Sequence, residues 1–169
     1  ALPELGLTGY TCGDLFFQKQ LVRGAAKAIK TLCAASADMN MMTVCGAPLE
    51  RWGKLYNCAV LIYRGEILGA VPKSYLPNYN EFYEKRQFTP APAQNSFIRI
   101  ESFEREIPFG ARLLFTCREL ESLKIAVEIC EDLWAISPPS VSHAAAGAGI
   151  IINISASNEI IGKAAYRRD

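Results

Sequence analysis

The sequence is poor in histidine and in clustered cysteine. Its 169 residues include a single histidine, His143, and six cysteines, none of which forms a C-x-x-C pair. A zinc site built from histidines is therefore excluded, and one built from cysteines alone would need a paired spacing that is absent. We expect no metal in this chain. We also expect no disulfide framework, because such frameworks belong to short secreted chains with little core, whereas 50% of this sequence is hydrophobic.

Net charge and long apolar runs are also lacking. Eighteen Lys and Arg against 17 Asp and Glu leave a formal charge of +1, which argues against electrostatic binding of nucleic acid. The longest uncharged stretch, residues 133–158, is interrupted by prolines, asparagines and a histidine, so it is not typical of a membrane span. The opening residues have no basic region followed by an apolar run, and we expect a cytoplasmic location without a signal peptide.

The order of predicted elements favours a mixed α/β fold. Residues 1–4 are typical of a strand end, and a helix is predicted over residues 15–36 with Asp14 as its N-cap. Strands are predicted at residues 41–47, 56–63, 66–72, 97–101, 112–116, 123–129 and 150–154, and a second helix at residues 141–146. Strands mixed with helices in this way favour an α+β fold or a layered α/β sandwich over a doubly wound sheet.

Two connections stand out between these elements. The strands at 56–63 and 66–72 are predicted to form a hairpin that turns at Arg64-Gly65. Residues 74–95 form a long loop rich in proline, asparagine and aromatic residues, with a short helical turn predicted at 81–86. A loop of that length inside a compact domain is often functional.

Three residues carry the strongest signals for chemistry. Cys130 ends a buried strand pattern and is followed by two carboxylates, the position of a nucleophile at a strand-to-turn corner. Lys73 follows another strand, where its ammonium can stabilise an oxyanion. Glu4 lies among apolar residues, and burial there would raise its pKa towards that of a useful general base. Each residue also has a non-catalytic interpretation: Cys130 as a buried structural cysteine, Lys73 as a solvated lysine, and Glu4 as a carboxylate paired with an arginine.

The order Glu4, Lys73, Cys130 resembles the catalytic set of the nitrilase superfamily of carbon-nitrogen hydrolases. Three blocks, residues 3–16, 73–88 and 128–134, are similar to the glutaminase domains of the glutamine-dependent NAD+ synthetase family. The resemblance implies a nitrilase-like four-layer α-β-β-α sandwich, and it implies that residues 1–169 are one partial glutamine amidotransferase domain. Compared with the family, the first strand and helix and the last strands and helices are absent, which would expose sheet edges.

The resemblance also assigns roles to individual residues. Cys130 would attack the side-chain amide of glutamine and form a thioester, Glu4 would move the protons, and Lys73 would stabilise the oxyanion. A second carboxylate beside the lysine is assigned to Glu81. The resemblance assigns the binding of glutamine to Tyr79, Glu131, Trp134 and Ser157. It places Tyr10 at the mouth of an ammonia tunnel.

Partners and cofactors follow from the same resemblance. The family's ATP-dependent synthetase domain would accept the ammonia and bind ATP and Mg2+, and its Ser-Gly-Gly-x-Asp-Ser phosphate loop does not occur in this sequence. We therefore expect no cofactor in this chain, glutamine as its substrate and a homo-oligomeric assembly. Two alternatives stay open, because the catalytic set is shared by other nitrilase-branch amidases and carbamoylases, and because a chain lacking both ends of the domain can be a non-catalytic fragment.

Overall fold

The computed structural model describes residues 1–101 and 103–168. Runs of 3-10 turns occupy Tyr10–Phe17 and Cys130–Trp134. The α-helices are α1 (Lys19–Ala35), α2 (Glu84–Gln87), α3 (Pro139–Ala145) and α4 (Lys163–Tyr166). The strands are β1 (Met42–Arg51), β2 (Lys54–Tyr63), β3 (Glu66–Pro72), β4 (Ser96–Arg99), β5 (Glu106–Phe109), β6 (Phe115–Thr116), β7 (Lys124–Ile129) and β8 (Ile150–Ile154).

The larger sheet has five strands in the order β1-β2-β3-β5-β4. Its first three strands form an antiparallel meander, β5 runs parallel to β3, and β4 pairs antiparallel with β5. The β2–β3 turn lies at Arg64 and Gly65, both with positive φ, as a tight two-residue hairpin turn requires. This confirms the hairpin predicted from the sequence.

The smaller sheet has the order β6-β7-β8, and its two longer strands are parallel. Ile129 at the end of β7 is in register with Ile154 at the end of β8. Because parallel strands end at the same edge of a sheet, Cys130 and Ser155 leave the sheet side by side. The sheet therefore brings two polar side chains to one edge.

The two sheets and their helices form four layers. Helix α1 packs on one face of the larger sheet around Ile29, Val60 and Phe109. The opposite face packs against β7 and β8 through a second apolar cluster that includes Leu61 and Val127. Helix α3 covers β7 from the other side. This is the predicted α-β-β-α order, and within the described residues no helix is both long and apolar enough to cross a bilayer.

Several predicted elements were wrong in position. Residues 1–4 form no strand, and 3-10 turns replace the first part of the predicted helix, so that α1 begins at Lys19. Asp14 caps no helix and instead accepts two hydrogen bonds from the Arg86 guanidinium, at 2.7 and 2.8 Å. Strand β5 was not predicted, because Pro108 interrupts its apolar pattern. β1 continues through Pro48, which an edge strand tolerates.

Candidate active site

Cys130 lies at the corner where β7 turns into a 3-10 segment. Its φ is +47°, a left-handed conformation that costs a non-glycine residue of the order of 1–2 kcal/mol. The Asn153 side chain holds this backbone on both sides, accepting from the Cys130 N–H at 3.2 Å and donating to its carbonyl at 3.3 Å. A strained corner fixed by neighbouring groups is typical of a residue placed for function.

A buried carboxylate ties this corner to the segment that follows Lys73. Asp132 accepts the backbone N–H groups of Ile129 at 3.0 Å, Ser74 at 3.0 Å and Tyr75 at 2.8 Å. Burial raises the pKa of Asp132 to about 6, although the three backbone donors and Lys73 favour its charged form. Asp132 was not singled out from the sequence, yet its hydrogen bonds link the cysteine corner to the segment that follows the lysine.

Lys73 is fully buried between two carboxylates. Its Nζ lies 2.6 Å from Glu4 Oε1 and 2.5 Å from Glu84 Oε1, and the exposed fractions of the three side chains are 0%, 0% and 5%. The pKa of Lys73 is raised: burial opposes its charge, but Glu4, Glu84 and the Cys130 sulfur favour it more strongly. The lysine is therefore an ammonium held inside the protein by its two acids.

Neutral donors complete the coordination of the two acids. Asn57 Nδ2 donates to Glu4 Oε1 at 2.7 Å and to Glu84 Oε2 at 3.4 Å. The Tyr10 hydroxyl donates to Glu84 Oε1 at 2.7 Å, and the Ala156 N–H donates to Glu4 Oε2 at 3.1 Å. Burial and the neighbouring Glu84 both raise the pKa of Tyr10, so its hydroxyl keeps its proton and acts as a donor.

The Cys130 thiol is a weak acid in this structure. Burial raises its pKa most, and the Glu4 carboxylate raises it further. Lys73 and the Ser155 hydroxyl, whose Oγ lies 3.2 Å from Sγ, act in the opposite direction. Because the thiolate is the nucleophilic form, the thiol needs a base at the moment of attack, and Glu4 is the acid beside it.

A cavity of about 380 Å³ opens on this thiol. Its lining consists of Cys130, Leu133, Trp134, Asn153, Ser155, Ser157 and Arg167. Trp134 stacks on Tyr166 with ring centroids 5.1 Å apart, which gives the cavity an aromatic wall. A thiol, polar hydroxyls, a guanidinium and an aromatic face suit a small polar molecule with a negatively charged end.

The predicted binding residues fall into two groups. Trp134 and Ser157 line the Cys130 cavity. Tyr79 and Glu131 line a neighbouring cavity of about 440 Å³, where the Tyr79 hydroxyl donates to Glu131 Oε2 at 2.8 Å. Cys130 lines the first cavity, and the next residue, Glu131, lines the second. Tyr10 lies apart from both and contacts Glu84.

The placement predicted for Glu81 was wrong. Glu81 is exposed and accepts a hydrogen bond from Asn158, whereas the carboxylate beside Lys73 belongs to Glu84, the first residue of α2. The loop before α2 carries Glu81 away, and a hydrogen bond from the Glu84 N–H to the Pro77 carbonyl at 3.2 Å turns Glu84 inward. Glu81 and Glu84 lie in one predicted loop, separated by Phe82 and Tyr83, and no local pattern distinguishes the two glutamates.

Besides Glu84, two more buried residues of the site were missed. Asn57 is the one amide in the run 56–62 of β2, which otherwise holds aromatic and aliphatic residues and a cysteine and carries no charged residue, and that isolation was the available signal. Asp132 was noted only as a neighbour of Cys130. Among residues 1–101 and 103–168, no three His, Cys, Asp or Glu side chains are grouped so that they could hold a metal ion.

A comparison with known protein families shows to which family the chain belongs. The profile of the carbon-nitrogen hydrolases matches residues 1–165. The chain belongs to the carbon-nitrogen hydrolase family. Over 166 residues this hydrolase is 44% identical to the glutamine-dependent NAD(+) synthetase of Mycobacterium tuberculosis strain H37Rv. The aligned region covers 98% of this chain and 24% of that relative.

Solved structures agree with this assignment. The crystal structure of a glutamine-dependent NAD(+) synthetase from Cytophaga hutchinsonii has a TM-score of 0.81 at 32% identity, over 99% of this chain and 26% of that one. An amidase of the nitrilase superfamily from Nesterenkonia AN1 has a TM-score of 0.69 at 17% identity, over 96% and 53% of the two chains, and shows the fold alone. The hydrolase thus spans about a quarter of the synthetases it matches.

Proposed function

We propose that this hydrolase chain is the glutamine-hydrolysing part of a glutamine-dependent NAD+ synthetase. The ammonia it releases would be used to amidate deamido-NAD+. The observation that carries the proposal is the half-buried Cys130 thiol beside the buried Glu4–Lys73 ion pair. The 44% identity to a mycobacterial synthetase directs the choice of substrate within the family.

The first half of the reaction forms a thioester. Glu4 takes the proton from the Cys130 thiol, and Sγ attacks the carbon of the glutamine side-chain amide. The Lys73 ammonium, together with the backbone N–H of Glu131, stabilises the oxyanion that develops on the amide oxygen. Glu4 then gives its proton to the leaving nitrogen, the C–N bond breaks, and ammonia departs.

The second half returns the enzyme to its starting state. Glu4 takes a proton from a water molecule, whose oxygen attacks the thioester carbon. The C–S bond breaks, glutamate leaves, and the proton on Glu4 returns to the Cys130 sulfur. One base serves both halves because the same carboxylate, held against Lys73, is re-ionised after each proton transfer.

The two cavities around Cys130 suit the charged end of glutamine. In the proposed complex, the Glu131 carboxylate, oriented by the Tyr79 hydroxyl, binds the α-ammonium group. Arg167 supplies a guanidinium for the α-carboxylate, and its side chain lies on the wall of the Cys130 cavity. The aliphatic part of glutamine would then lie against Trp134. A simple aliphatic amide has neither an ammonium group for Glu131 nor a carboxylate for Arg167.

The proposal extends to partners. Because the chain spans about a quarter of its curated relatives, we place the ATP- and Mg2+-dependent amidation in a separate synthetase domain that receives the ammonia. Residues 1–169 then form one part of a glutamine amidotransferase domain. We also propose that the protein is cytoplasmic and forms a homo-oligomer. In such an assembly, neighbouring subunits would cover the exposed edges of one another's sheets.

The test is release of glutamate from glutamine, measured with this chain and with the complete polypeptide that its gene encodes. Cys130→Ala is expected to abolish release. Cys117→Ala is the matched control, because Cys117 is also a partly exposed free cysteine but contacts Glu119 instead of the site. Release that survives Cys130→Ala would overturn the proposal. So would hydrolysis of N-carbamoyl amino acids or aliphatic amides without hydrolysis of glutamine, in a sample with a cooperative thermal melt.

A further inference from the structure

The buried cluster around Lys73 has more negative than positive groups. The carboxylates of Glu4 and Glu84 both contact a single ammonium, at 2.6 and 2.5 Å, and all three side chains are buried. With both acids ionised the cluster carries one uncompensated negative charge. Burying such a charge is costly unless hydrogen-bond donors surround it.

Asn57 is placed to supply those donors to both acids. It lies in β2, next to β3, and its carbonyl accepts the Lys73 N–H at 2.8 Å. Its side chain is 1% exposed, and Nδ2 is shared between Glu4 Oε1 at 2.7 Å and Glu84 Oε2 at 3.4 Å. An amide nitrogen has two hydrogens, so each carboxylate receives one.

The other end of the same amide shows what this arrangement costs. Asn57 Oδ1 is buried and has no hydrogen-bond partner among the described residues. An unsatisfied buried carbonyl is destabilising, and an apolar side chain at this position would avoid the cost. The orientation of the amide is fixed by its two acceptors, because a flipped amide would place Oδ1 against two carboxylates.

We propose that Asn57 is a positioning residue that keeps Glu4 and Glu84 ionised together around Lys73 by donating one N–H to each. Only one consequence of this inference rests on the proposed function, namely the effect on the pH dependence of glutamine hydrolysis. Other titratable and polar groups face the cluster from every element packed on it. They are Tyr10 and the Ala156 N–H, which donate to one acid each, the Cys130 thiol, and the Asp132 carboxylate, which senses the charge of Lys73.

Loss of the Asn57 donor has a defined consequence. Glu84 is the acid that takes up a proton, because burial and the charge of Glu4 already raise its pKa. Once Glu84 is neutral, Glu4 is the only anion on Lys73, and transfer of the Cys130 proton to Glu4 loses the support of the second negative charge. The acid limb of the pH profile should therefore move to higher pH, in addition to any loss of rate.

The experiment compares Asn57→Leu with the wild type by two measurements. The first follows the side-chain carboxyl carbons of 13C-labelled glutamate by NMR across the pH range. The second is the pH dependence of kcat/KM for glutamine. We expect one carboxyl resonance and the acid limb both to move up by about one pH unit or more, the usual size of a shift caused by losing a hydrogen bond to a charged group.

Two further variants keep the test decisive. Cys58→Ala is the control, because Cys58 is the next residue of β2 and lies in the apolar cluster under α1; it should lower the melting temperature and move neither titration. Asn57→Asp retains the shape of the side chain if Asn57→Leu fails to fold. That variant should hold one neutral carboxyl in the cluster at pH 7, and three ionised carboxyls there would overturn the inference.

The remaining outcomes separate the inference from the proposed function. Unmoved carboxyl titrations and an unmoved acid limb in a folded Asn57→Leu variant would overturn the inference while leaving glutamine hydrolysis by Cys130 intact. Survival of glutaminase activity in Cys130→Ala would overturn the function. The NMR titration would still decide the inference in that case, because it needs no substrate.

Discussion

Gly46 in β1 lies directly against the backbone of Leu5. A Cβ atom on Gly46 would stand 2.5 Å from the Pro3 carbonyl oxygen and closer still to the Leu5 backbone nitrogen. Leu5 itself has a φ of +50°, and the turn around it is held by a hydrogen bond from the Leu7 N–H to the Gly46 carbonyl at 3.1 Å. The absent side chain of Gly46 is therefore what allows Glu4 to reach Lys73.

Gly46→Ala should accordingly displace the Glu4 turn. A methyl group there overlaps backbone atoms, which cannot move as a flexible side chain can, and the expected loss of stability is about 1–3 kcal/mol. Glutaminase activity should fall further than stability alone explains, because Glu4 moves with its turn. Urea denaturation and glutamate release measure the two effects.

Gly24→Ala is the matched control. Gly24 lies in α1 with open space around its Cα, and alanine there should stabilise the protein by about 0.5–1 kcal/mol. Equal effects of the two substitutions on activity would contradict the role given to Gly46.

The two glutamates of the loop and α2 give the second prediction. Glu84→Gln removes a buried charge that contacts Lys73, and we expect kcat for glutamine to fall by about 10²-fold, the lower range for groups in proton-transfer chemistry. Glu81→Gln changes an exposed carboxylate bonded to Asn158 and should alter kcat less than about threefold. Steady-state kinetics with both variants checks this, and a larger effect of Glu81→Gln would favour the assignment made from the sequence.

The sequence carried enough information for the strand ends but too little for the loop between them. Strand β7 is a mostly apolar run that is interrupted by Glu128 and ends just before Cys130, and β3 ends just before Lys73, so both positions follow from local pattern. The position of Glu84 depends on tertiary packing instead. Leu76 and Phe88 anchor the two ends of its loop in a cluster with Leu5 and Phe16.

The same distinction explains the errors near the N-terminus. The segment before α1 has helical spacing of its apolar residues, but Leu15 and Phe17 remain exposed and Phe16 alone is buried. Burial against Phe88, at a centroid distance of 4.9 Å, selects the 3-10 turns over a longer helix. Tertiary contacts of this kind override local propensity, and a single sequence does not report them.

A pH-dependent stability is the third prediction, and it concerns Asp132. Burial raises the pKa of Asp132 to about 6, above the value near 3.9 expected in an unfolded chain. The native state therefore binds more protons between about pH 4 and pH 6, and the contribution of Asp132 to stability falls as the pH rises through that range. The shift of about two pKa units corresponds to roughly 3 kcal/mol.

Asp132→Asn removes this titration. Its amide oxygen can still accept the Ser74 and Tyr75 N–H groups, but its NH2 group would face the Ile129 N–H, so the variant should be less stable than wild type. The difference in the free energy of unfolding should be largest near pH 4 and shrink towards pH 7. Urea denaturation of both proteins at several pH values measures it, and a difference that grows with pH would contradict the burial of a raised-pKa acid at this corner.

Tyr79 gives the last prediction, which separates binding from chemistry. Burial and the hydrogen bond to Glu131 raise the pKa of Tyr79 to about 12, so the hydroxyl is a donor at neutral pH. Tyr79→Phe leaves Glu131 without that partner, and a hydrogen bond of this kind is worth enough to raise KM for glutamine about 3–10-fold. kcat should change little, because Tyr79 does not contact the thiol. Tyr63→Phe is the control, since its hydroxyl also donates to one side chain, Asn40, at the far end of β2. A fall in kcat with unchanged KM would place Tyr79 in the chemical step instead.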